Sequence, residues 1–245
     1  MIYSVDLNAD MGEGIGNEPL LMPYISSCNI ACGGHAGDEV TMHKVVKLAK
    51  QHGVKVGAHP SFPDKENFGR QAMDMSCAAL FSSLKSQVDS LLTILRKEQV
   101  GLHHVKPHGA LYNLAAVDEK MATVIIEVMK SFALPVKLYV PYKSVIAKLA
   151  VENNIPIVFE AFADRNYNDD LTLVSRTEKN ALIHDSDAVF KHVFGIITNQ
   201  KVKTATGKNV RILAETFCVH GDNPEAIDLV KKLNEKLKEN HIKII

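Results

Sequence analysis

The chain has 245 residues, in which 28 Lys and Arg balance 28 Asp and Glu, so its formal net charge is zero with the 11 histidines neutral. A composition of 46% hydrophobic and 23% charged residues is ordinary for a globular protein and argues against disorder. The balanced charge provides no extended field for a phosphate backbone or an anionic membrane, so we expect neither nucleic acid nor a membrane as a partner. The length suits an α/β barrel, and we predict one domain over residues 1–245.

The cysteines and the N-terminus indicate the compartment. Cys28, Cys32, Cys77 and Cys218 do not have the C-x-x-C spacing of redox or zinc sites, so we predict reduced thiols. The N-terminus has neither the basic region nor the apolar region of a signal peptide, and no apolar run approaches the roughly 20 residues of a membrane span. We therefore expect a cytoplasmic protein.

Short apolar segments rich in β-branched residues alternate with longer segments of helical periodicity. The predicted strands are residues 2–7, 28–31, 54–58, 102–106, 136–140, 155–161 and 210–219. The predicted helices are residues 40–52, 76–99, 117–132, 142–153, 187–197 and 224–240. No hairpin dipeptide separates the strands, which indicates parallel βα repeats. We predict an α/β fold, a distorted seven-stranded (β/α) barrel, in preference to an open doubly wound sheet, because polar motifs follow nearly every strand.

Polar side chains follow the first predicted strand. The apolar segment is followed by the polar residues Asn8, Asp10 and Glu13. The carboxylates of Asp10 and Glu13 could each cap the loop, bind a metal or donate a proton. The glycines that follow do not have the G-x-G-x-x-G spacing of a dinucleotide site, so a Rossmann-type site is not expected.

The second predicted strand leads into a glycine loop directly before a helix. Gly33 and Gly34 would let backbone N–H groups approach an anion at the helix N-terminus, and Asp38 would also cap the helix. Turn chemistry alone does not explain His35, for which we predict a functional role.

The third and fourth predicted strands each lead into a histidine. His59 precedes a proline-stiffened loop that carries Asp64 and Arg70. The alternative explanations are that Asp64 is a turn residue and that Arg70 forms a surface ion pair. Lys106 and His108 are two residues apart, so they lie on the same side of the pleat. A lysine that faces the barrel interior is costly unless a carboxylate or an anionic ligand pairs with it.

Polar residues also follow the sixth and seventh predicted strands. They are Glu160, Asp164, Arg165 and Arg176 after the sixth strand, and His220 and Asp222 after the seventh. Asp222 has an alternative role as a helix cap. His220 stands at a strand end, as His35, His59 and His108 do, and fold maintenance does not explain four such histidines after four strands.

The remaining seven histidines have structural explanations. His103 and His104 lie at the start of the fourth strand and are predicted to be structural. Solvated side chains are predicted for the other five, His43, His52, His184, His192 and His241.

The motifs as a set resemble the LamB/YcsF family. The residues that carry the resemblance are DLNADMGE at 6–13, SSCNIACGGHAGD at 26–38, GAHPSFPD at 57–64, NFGR at 67–70, HVKPHGALYN at 104–113, FADRNY at 162–167 and CVHGD at 218–222. The resemblance implies a barrel akin to the glycoside hydrolase/deacetylase superfamily. It also implies an A subunit of bacterial 5-oxoprolinase, which opens 5-oxo-L-proline to L-glutamate with ATP and Mg²⁺, together with partner subunits B and C.

The implied chemistry suggests a role for each candidate residue. We predict catalytic roles for Asp10, His59, Lys106, His108 and His220. We predict substrate or phosphate binding by Asn8, Gly33, Gly34, His35, Asp38, Asp64, Arg70, Glu160, Asp164, Arg165, Arg176 and Asp222. By analogy with metal-dependent deacetylases on related barrels, we predict that Asp10, His59 and His108 bind a divalent metal. No Walker A motif is present, so nucleotide is expected to bind largely on a partner subunit.

Two other functions stay open at the level of sequence. One is a stand-alone metal-dependent amide hydrolase or carbohydrate deacetylase, which needs neither ATP nor partners. The other is a non-catalytic subunit that holds the small-molecule substrate for its partners.

Overall fold

The computed structural model describes residues 3–133, 135–220 and 226–245. Its strands are β1 (Ser4–Met11), β2 (Ser27–Ala31), β3 (Lys55–His59), β4 (Leu102–Val105), β5 (Lys137–Pro141), β6 (Ile157–Phe162), β7 (Lys201–Lys203), β8 (Asn209–Arg211), β9 (Thr216–Val219) and β10 (Lys243–Ile244). Strands β1 to β6 pair in order, β6 pairs with β9, and β9 pairs back with β1, all in parallel. The predicted seven-stranded parallel barrel is therefore confirmed.

The helices surround the barrel and follow most of its strands. They are α1 (Glu18–Leu21), α2 (Glu39–His52), α3 (Cys77–Glu98), α4 (Gly109–Ala115), α5 (Glu119–Lys130), α6 (Val145–Glu152), α7 (Ser186–Asn199) and α8 (Ala226–Glu239), with a short 3-10 helix at Met22–Tyr24. Helix α2 shows how the sequence sets their ends: the Asp38 side chain accepts a hydrogen bond from the Thr41 N–H, and Gly53 closes the helix at φ +67°.

The barrel strands present polar side chains to the barrel interior. Along β1, buried polar and buried apolar residues alternate, namely Asp6, Asn8 and Asp10 against Leu7, Ala9 and Met11. The Asn8 amide donates to Glu160 Oε1 (2.9 Å) and to Thr216 Oγ1 (2.7 Å), which belong to other strands of the barrel. The polar set therefore meets across the interior, while the apolar set belongs to the main hydrophobic core. This also explains why β1 runs to Met11, beyond the predicted end at residue 7.

The prediction of one strand over residues 210–219 was wrong. Strand β8 pairs antiparallel with β7 in a separate two-stranded sheet, and only β9 joins the barrel. The turn between β7 and β8 needs Gly207 at φ +88° and lacks the Asn-Gly or Asp-Gly pair that would have marked a hairpin. Apolar residues continue from β8 into β9, so the sequence pattern shows no break between them.

Two further elements differ from the predictions. The predicted helix over residues 117–132 begins at Glu119, after Asp118, and α4 precedes it as a separate helix. Strand β10 was not predicted; it pairs in parallel with the start of β1. The predicted start of the last helix at residue 224 lies outside the described residues.

The four cysteines are free thiols, as predicted. Cys28, Cys32 and Cys218 are buried and Cys77 is exposed. Burial raises the pKa of Cys32 to about 12, which keeps this thiol protonated at neutral pH. Within the described ranges, none of the helices combines the length and the apolar character that crossing a bilayer requires.

Candidate active site

The C-terminal ends of the barrel strands surround a cavity of about 330 Å³. Its walls come from the segments that follow β1, β3, β4, β6 and β9, where the loops of a βα barrel converge. The predicted site residues that line it are Asp10, His59, Arg70, Lys106, His108, Arg165, Arg176 and His220.

Three of the strand-end histidines and one carboxylate meet at this cavity; Glu13, His59 and His108 line its wall, and His35 is buried behind it. Glu13, His35, His59 and His108 each place one nitrogen or oxygen within 4.8 Å of the others, and we call them the histidine cluster. The rings of His35 and His108 stack at 3.6 Å, and His59 meets both rings edge-on. The stack depends on Gly69, whose φ is +62° and at which an added Cβ would lie 2.9 Å from the His35 Cβ.

The backbone determines which nitrogens of His59 and His108 face the cavity. His59 Nδ1 lies 2.7 Å from the Lys106 carbonyl oxygen, and His108 Nε2 lies 2.9 Å from the Phe68 carbonyl oxygen. A carbonyl oxygen only accepts, so each of these ring nitrogens carries the proton and donates it. His59 Nε2 and His108 Nδ1 lie 2.9 Å apart; both carry lone pairs when the two rings are neutral, and a proton on His59 Nε2 is donated across this contact.

His35 is oriented in the same way by a hydroxyl group. The Ser61 hydroxyl donates to the Phe62 carbonyl oxygen at 2.8 Å, so its oxygen accepts from His35 Nδ1 at 3.0 Å. In the tautomer whose Nδ1–H donates to Ser61, His35 Nε2 carries a lone pair and lies 3.0 Å from Glu13 Oε1; in the other tautomer Nε2–H donates to that carboxylate. Burial lowers the pKa of His35 and holds the pKa of His108 well below its usual range, so both rings are neutral near pH 7. Neutral imidazoles and a carboxylate are ligands that first-row divalent metals prefer.

A buried lysine stands beside the cluster. Lys106 Nζ lies 3.1 Å from both Asp10 Oδ1 and Glu160 Oε1, and 2.9 Å from Cys218 Sγ. Burial alone would lower the pKa of Lys106, but the charge of Asp10 and its other neighbours raises it well above the usual value. The lysine is thus a fixed cation, paired with carboxylates as the sequence required.

Asp10 forms an ion pair with Lys106 and is not a member of the histidine cluster. Its Oδ2 lies 3.4 Å from His59 Nε2 and its Oδ1 lies 3.1 Å from Lys106 Nζ. Burial would raise its pKa, but His59 and Lys106 hold the pKa of Asp10 well below the usual range. The metal set predicted from sequence thus contains two members of the cluster, His59 and His108, whereas Glu13 and His35 complete it.

A second acid–histidine pair lies on the other side of the cavity. His220 Nδ1 lies 2.9 Å from Asp164 Oδ1, and the backbone N–H of His220 donates to Asp164 Oδ2 at 3.2 Å. Burial would raise the pKa of Asp164, but the interaction with His220 lowers it, so the aspartate is ionised. The His220 ring also stacks on Phe162 with its centroid 5.2 Å away. An ionised carboxylate at Nδ1 directs the basic Nε2 of the ring away from the pair, as proton transfer requires.

Three arginines add positive charge at the mouth. Arg165 is buried and donates to the carbonyl oxygens of Val174 (2.6 Å) and Ala181 (3.3 Å). Burial and the nearby charges of Arg176 and Arg70 lower the pKa of Arg165 to about 10. Such a concentration of cations in a chain of zero net charge favours an anionic ligand.

Other predicted residues lie away from the cavity wall. Asp38 caps α2, and Asp64 Oδ1 accepts from the Asn67 backbone N–H at 3.1 Å and organises a turn. Gly33 does not line the cavity, and a Cβ at Gly34 would overlap Gln87 and Ser61. Binding roles for these residues stay predictions.

Two further predictions concern buried and undescribed residues. Asn8 and Glu160 lie in the barrel interior, next to Lys106, and their binding roles stay predictions. Asp222 lies outside the described residues. The prediction that His192 is solvated was wrong: its ring is half-buried, lies 3.2 Å from the Phe162 carbonyl oxygen and stacks on a tyrosine.

The sequence reasoning missed several residues of the site. Glu13 was noted after the first strand but not placed among the site residues, although it ends the same motif as Asp10. The aromatic residues Tyr112 and Phe162 line the cavity and lie within the motifs HVKPHGALYN and FADRNY. The sequence analysis assigned them no role, because no sequence signal distinguishes an aromatic residue in a cavity wall from one in the core.

Comparison with known proteins places the whole chain in one family. The model of the LamB/YcsF family matches residues 5–245. A relative from Haemophilus influenzae, named as the A subunit of 5-oxoprolinase, is 42% identical over 240 residues, which cover 98% of this chain and 98% of the relative. A protein of the same name from Thermococcus sibiricus is 40% identical over 246 residues, which cover 98% and 96%.

Solved structures give the same result at the level of the fold. The lactam utilization protein from Thermus thermophilus is 34% identical and has a TM-score of 0.92, with 98% of both chains covered. A GH18 chitinase from Pseudoalteromonas aurantia has a TM-score of 0.53 at 11% identity, over 95% of this chain and 100% of the chitinase, and shares the barrel fold alone.

Proposed function

Because the chain belongs to the LamB/YcsF family, we propose that it is the A subunit of a 5-oxoprolinase, which opens the lactam ring of 5-oxo-L-proline to give L-glutamate. In this proposal ATP is hydrolysed to ADP and phosphate, Mg²⁺ accompanies the nucleotide, and partner subunits B and C complete the enzyme. The names of its relatives support this substrate. The observation that carries the proposal is the convergence of the histidine cluster, Lys106 and the Asp164–His220 pair on one cavity.

The positive charge of the mouth fits the activation that a lactam needs. An amide carbon is a poor electrophile, and transfer of the γ-phosphoryl group of ATP to the lactam oxygen, with release of ADP, makes it reactive. Water then adds, the ring C–N bond breaks, and the nitrogen takes a proton. A second water hydrolyses the resulting acyl phosphate to carboxylate and phosphate. Arg70, Arg165, Arg176 and Lys106 are the cations that would hold the phosphoryl oxygens.

The Asp164–His220 pair fits the proton transfers of this sequence. With Nδ1 held on an ionised carboxylate at 2.9 Å, the ring can take a proton from water at Nε2 and give it to the ring nitrogen as the C–N bond breaks. Asp164 stabilises the charged ring and fixes its orientation, as the acidic member of a catalytic triad does.

The histidine cluster fits a divalent metal ion. Three ring nitrogens and one carboxylate oxygen converge, and each outer ring nitrogen lies at a carbonyl or hydroxyl oxygen, which is the usual second layer of a metal site. Glu13, His35, His59 and His108 would hold the ion. A bound divalent ion supplies a Lewis acid for a carbonyl or phosphoryl oxygen and acidifies a bound water.

Reconstitution tests the proposed function. The purified chain is combined with its B and C subunits, ATP, Mg²⁺ and 5-oxo-L-proline, and released L-glutamate is measured with each component omitted in turn. We expect glutamate release with the full set and loss of release when this chain or ATP is omitted. Absence of glutamate from the complete mixture would sink the proposal.

The histidine cluster also favours a second candidate function, a stand-alone metal-dependent amide hydrolase or carbohydrate deacetylase. This function predicts turnover of an amide by the metal-loaded chain alone, without ATP or partner subunits. The same omission experiment separates the two functions, because only the first requires the nucleotide.

A further inference from the structure

A glutamine stands on the buried face of helix α3. Gln87 is 7% exposed and does not line the active-site cavity. The other buried residues of this helix are apolar, namely Leu80, Leu84, Val88, Leu91, Ile94 and Leu95. A buried amide group costs free energy unless it forms hydrogen bonds, so the partners of Gln87 show what it does there.

Both ends of the Gln87 amide bind the backbone of Ser61, in the loop after β3. Gln87 Oε1 accepts from the Ser61 N–H at 3.0 Å, and Gln87 Nε2 donates to the Ser61 carbonyl oxygen at 2.9 Å. Nε2 also donates to the Ser83 hydroxyl at 3.1 Å. The paired part of β3 ends at His59, so the glutamine supplies Ser61 with the hydrogen bonds that a neighbouring strand would make. Gln87 therefore fixes the position of Ser61 relative to α3.

Ser61 in turn contacts His35 of the histidine cluster. Ser61 Oγ lies 3.0 Å from His35 Nδ1, and the hydroxyl donates to the Phe62 carbonyl oxygen at 2.8 Å. The residue before His35 packs on the same pair, because a Cβ at Gly34 would lie 2.4 Å from Gln87 Oε1 and 2.5 Å from Ser61 Oγ. Gln87 and Ser61 therefore support both the His35 ring and the loop that carries it.

His35 depends on this support more than the other two histidines of the cluster do. His59 is the last residue of β3, and the His108 N–H donates to a carbonyl oxygen of the loop after β3 at 2.9 Å, so hydrogen-bonded backbone positions both residues. His35 lies in a loop with Gly33 at φ +93° and Gly37 at φ +80°. Because glycine gives a loop the greatest backbone freedom, the position of the His35 ring depends on side chains outside the loop.

We propose that Gln87 is a positioning residue of the active site, which acts through Ser61 to hold the His35 ring in place for the divalent metal ion. Removing an outer hydrogen-bond partner of a metal-bound histidine weakens metal binding by about 10–100-fold. The inference rests on the proposed function, because it concerns the metal site of that same cavity. It extends the site to helix α3, which contributes no member of the histidine cluster.

Titration of the full chain with Co²⁺ tests this role, with the affinity and the visible absorption of the bound ion as the two measurements. The absorption depends on the number and arrangement of the ligands, so it reports on the place of His35. Gln87→Met keeps a similar volume but binds neither backbone group of Ser61. We expect it to bind Co²⁺ about tenfold more weakly and with an altered absorption spectrum. Val88→Ala is the matched control, because it opens a cavity in the same buried face of α3 and lowers stability, but should keep the wild-type affinity and spectrum.

A second variant tests the link between the glutamine and the histidine. Ser61→Ala removes the hydroxyl at His35 Nδ1 but keeps the backbone groups that Gln87 binds. We expect Ser61→Ala to weaken Co²⁺ binding about tenfold, and Gln87→Met to add little to this loss in the double variant, because both changes act on the same contact. Full additivity of the two losses would overturn the inference. Wild-type affinity in Gln87→Met, equal losses in Gln87→Met and Val88→Ala, or a wild-type chain that does not bind Co²⁺ would do the same.

Glutamate release by the reconstituted complex is measured separately. Release by the wild type, together with unaltered Co²⁺ binding in Gln87→Met, would overturn the positioning role and leave the proposed function intact. Absence of release, together with the expected loss of Co²⁺ affinity in Gln87→Met, would contradict the proposed function and support the positioning role.

Discussion

His59 Nε2 and His108 Nδ1 face each other at 2.9 Å, and in neutral rings both nitrogens carry lone pairs. The outer nitrogen of each ring donates its proton to a backbone carbonyl oxygen, at 2.7 Å for His59 and 2.9 Å for His108. Two acceptors at this separation repel each other unless a cation lies with them. His35 Nε2 lies 3.0 Å from Glu13 Oε1, where either a proton on the ring or a metal ion satisfies the carboxylate. The cluster is therefore arranged for a positive charge.

A bound metal ion is the first prediction. After incubation with a zinc salt and dialysis, we expect the wild-type chain to retain about one equivalent of metal by elemental analysis, because zinc suits a set of imidazoles and one carboxylate. His108→Ala should reduce the retained metal at least about tenfold, and His184→Ala, at an exposed histidine, should retain it as the wild type does. Equal retention by wild type and His108→Ala would contradict the site.

The second prediction concerns the buried lysine. Lys106→Met removes the cation between Asp10 and Glu160 and leaves two buried carboxylates without their partner. We expect a loss of about 3–5 kcal/mol in the free energy of unfolding, measured by urea denaturation. Lys148→Met is the control, because Lys148 is 75% exposed and its ion pair with Glu152 spans 3.8 Å. If both variants unfold at the same urea concentration, the lysine is not the counter-ion of the interior.

The third prediction concerns Gly57 in β3, which packs closely against the buried ring of His104. A Cβ at Gly57 would overlap the His104 ring, which stacks on Tyr139 at 3.8 Å and lies 2.6 Å from Asn29 Oδ1. We expect Gly57→Ala to reduce the free energy of unfolding by about 1–3 kcal/mol through overpacking. At Gly101 an added Cβ meets no atom within 4 Å, so Gly101→Ala should be neutral or slightly stabilising. Equal stabilities of the two variants would show that the His104 ring moves without cost.

Because the His104 ring is buried, we also predict that the stability of the fold depends on pH. Burial and the charges of its neighbours hold the pKa of His104 well below its usual range. The unfolded chain therefore binds this proton at a higher pH than the folded chain does. The stability that the neutral ring contributes is present above about pH 6.5 and is lost as the pH falls toward the folded pKa, by up to about 1.4 kcal/mol per pH unit.

Urea unfolding at pH 7, 6 and 5 measures this effect. The slope of stability against pH should be shallower in His104→Gln, which retains a donor for Asn29, than in the wild type. The exposed His52→Gln is expected to keep the wild-type slope, because solvent surrounds that ring in both states. Parallel curves for His104→Gln and the wild type would rule out His104 as the source of the dependence.

Sequence patterns were sufficient to predict the barrel, because parallel strands buried on both faces appear as short apolar runs that helices separate. They were also sufficient to identify all four strand-end histidines, since a titratable residue at the end of a barrel strand lies at the mouth. The β7–β8 hairpin was not predictable in this way. Its strands have three residues each, and tertiary pairing rather than local propensity holds them.

The composition of the histidine cluster was not predictable either. Ligands from separate strands have no characteristic spacing, so Asp10 and Glu13, three residues apart, looked equivalent. In the structure they have different partners. Glu13 Oε1 lies 3.0 Å from His35 Nε2, whereas Asp10 Oδ1 lies 3.1 Å from Lys106 Nζ.

We propose that this chain itself carries catalytic groups of the lactam-opening reaction. Glutamate release by the reconstituted complex tests it most directly, with wild-type chain, His220→Asn and the surface variant His184→Asn compared at equal concentrations. Loss of the general base predicts a kcat about 10²–10⁴-fold lower for His220→Asn, with His184→Asn unchanged. Wild-type kcat in the His220→Asn complex would contradict the claim and leave this chain as a substrate-holding subunit.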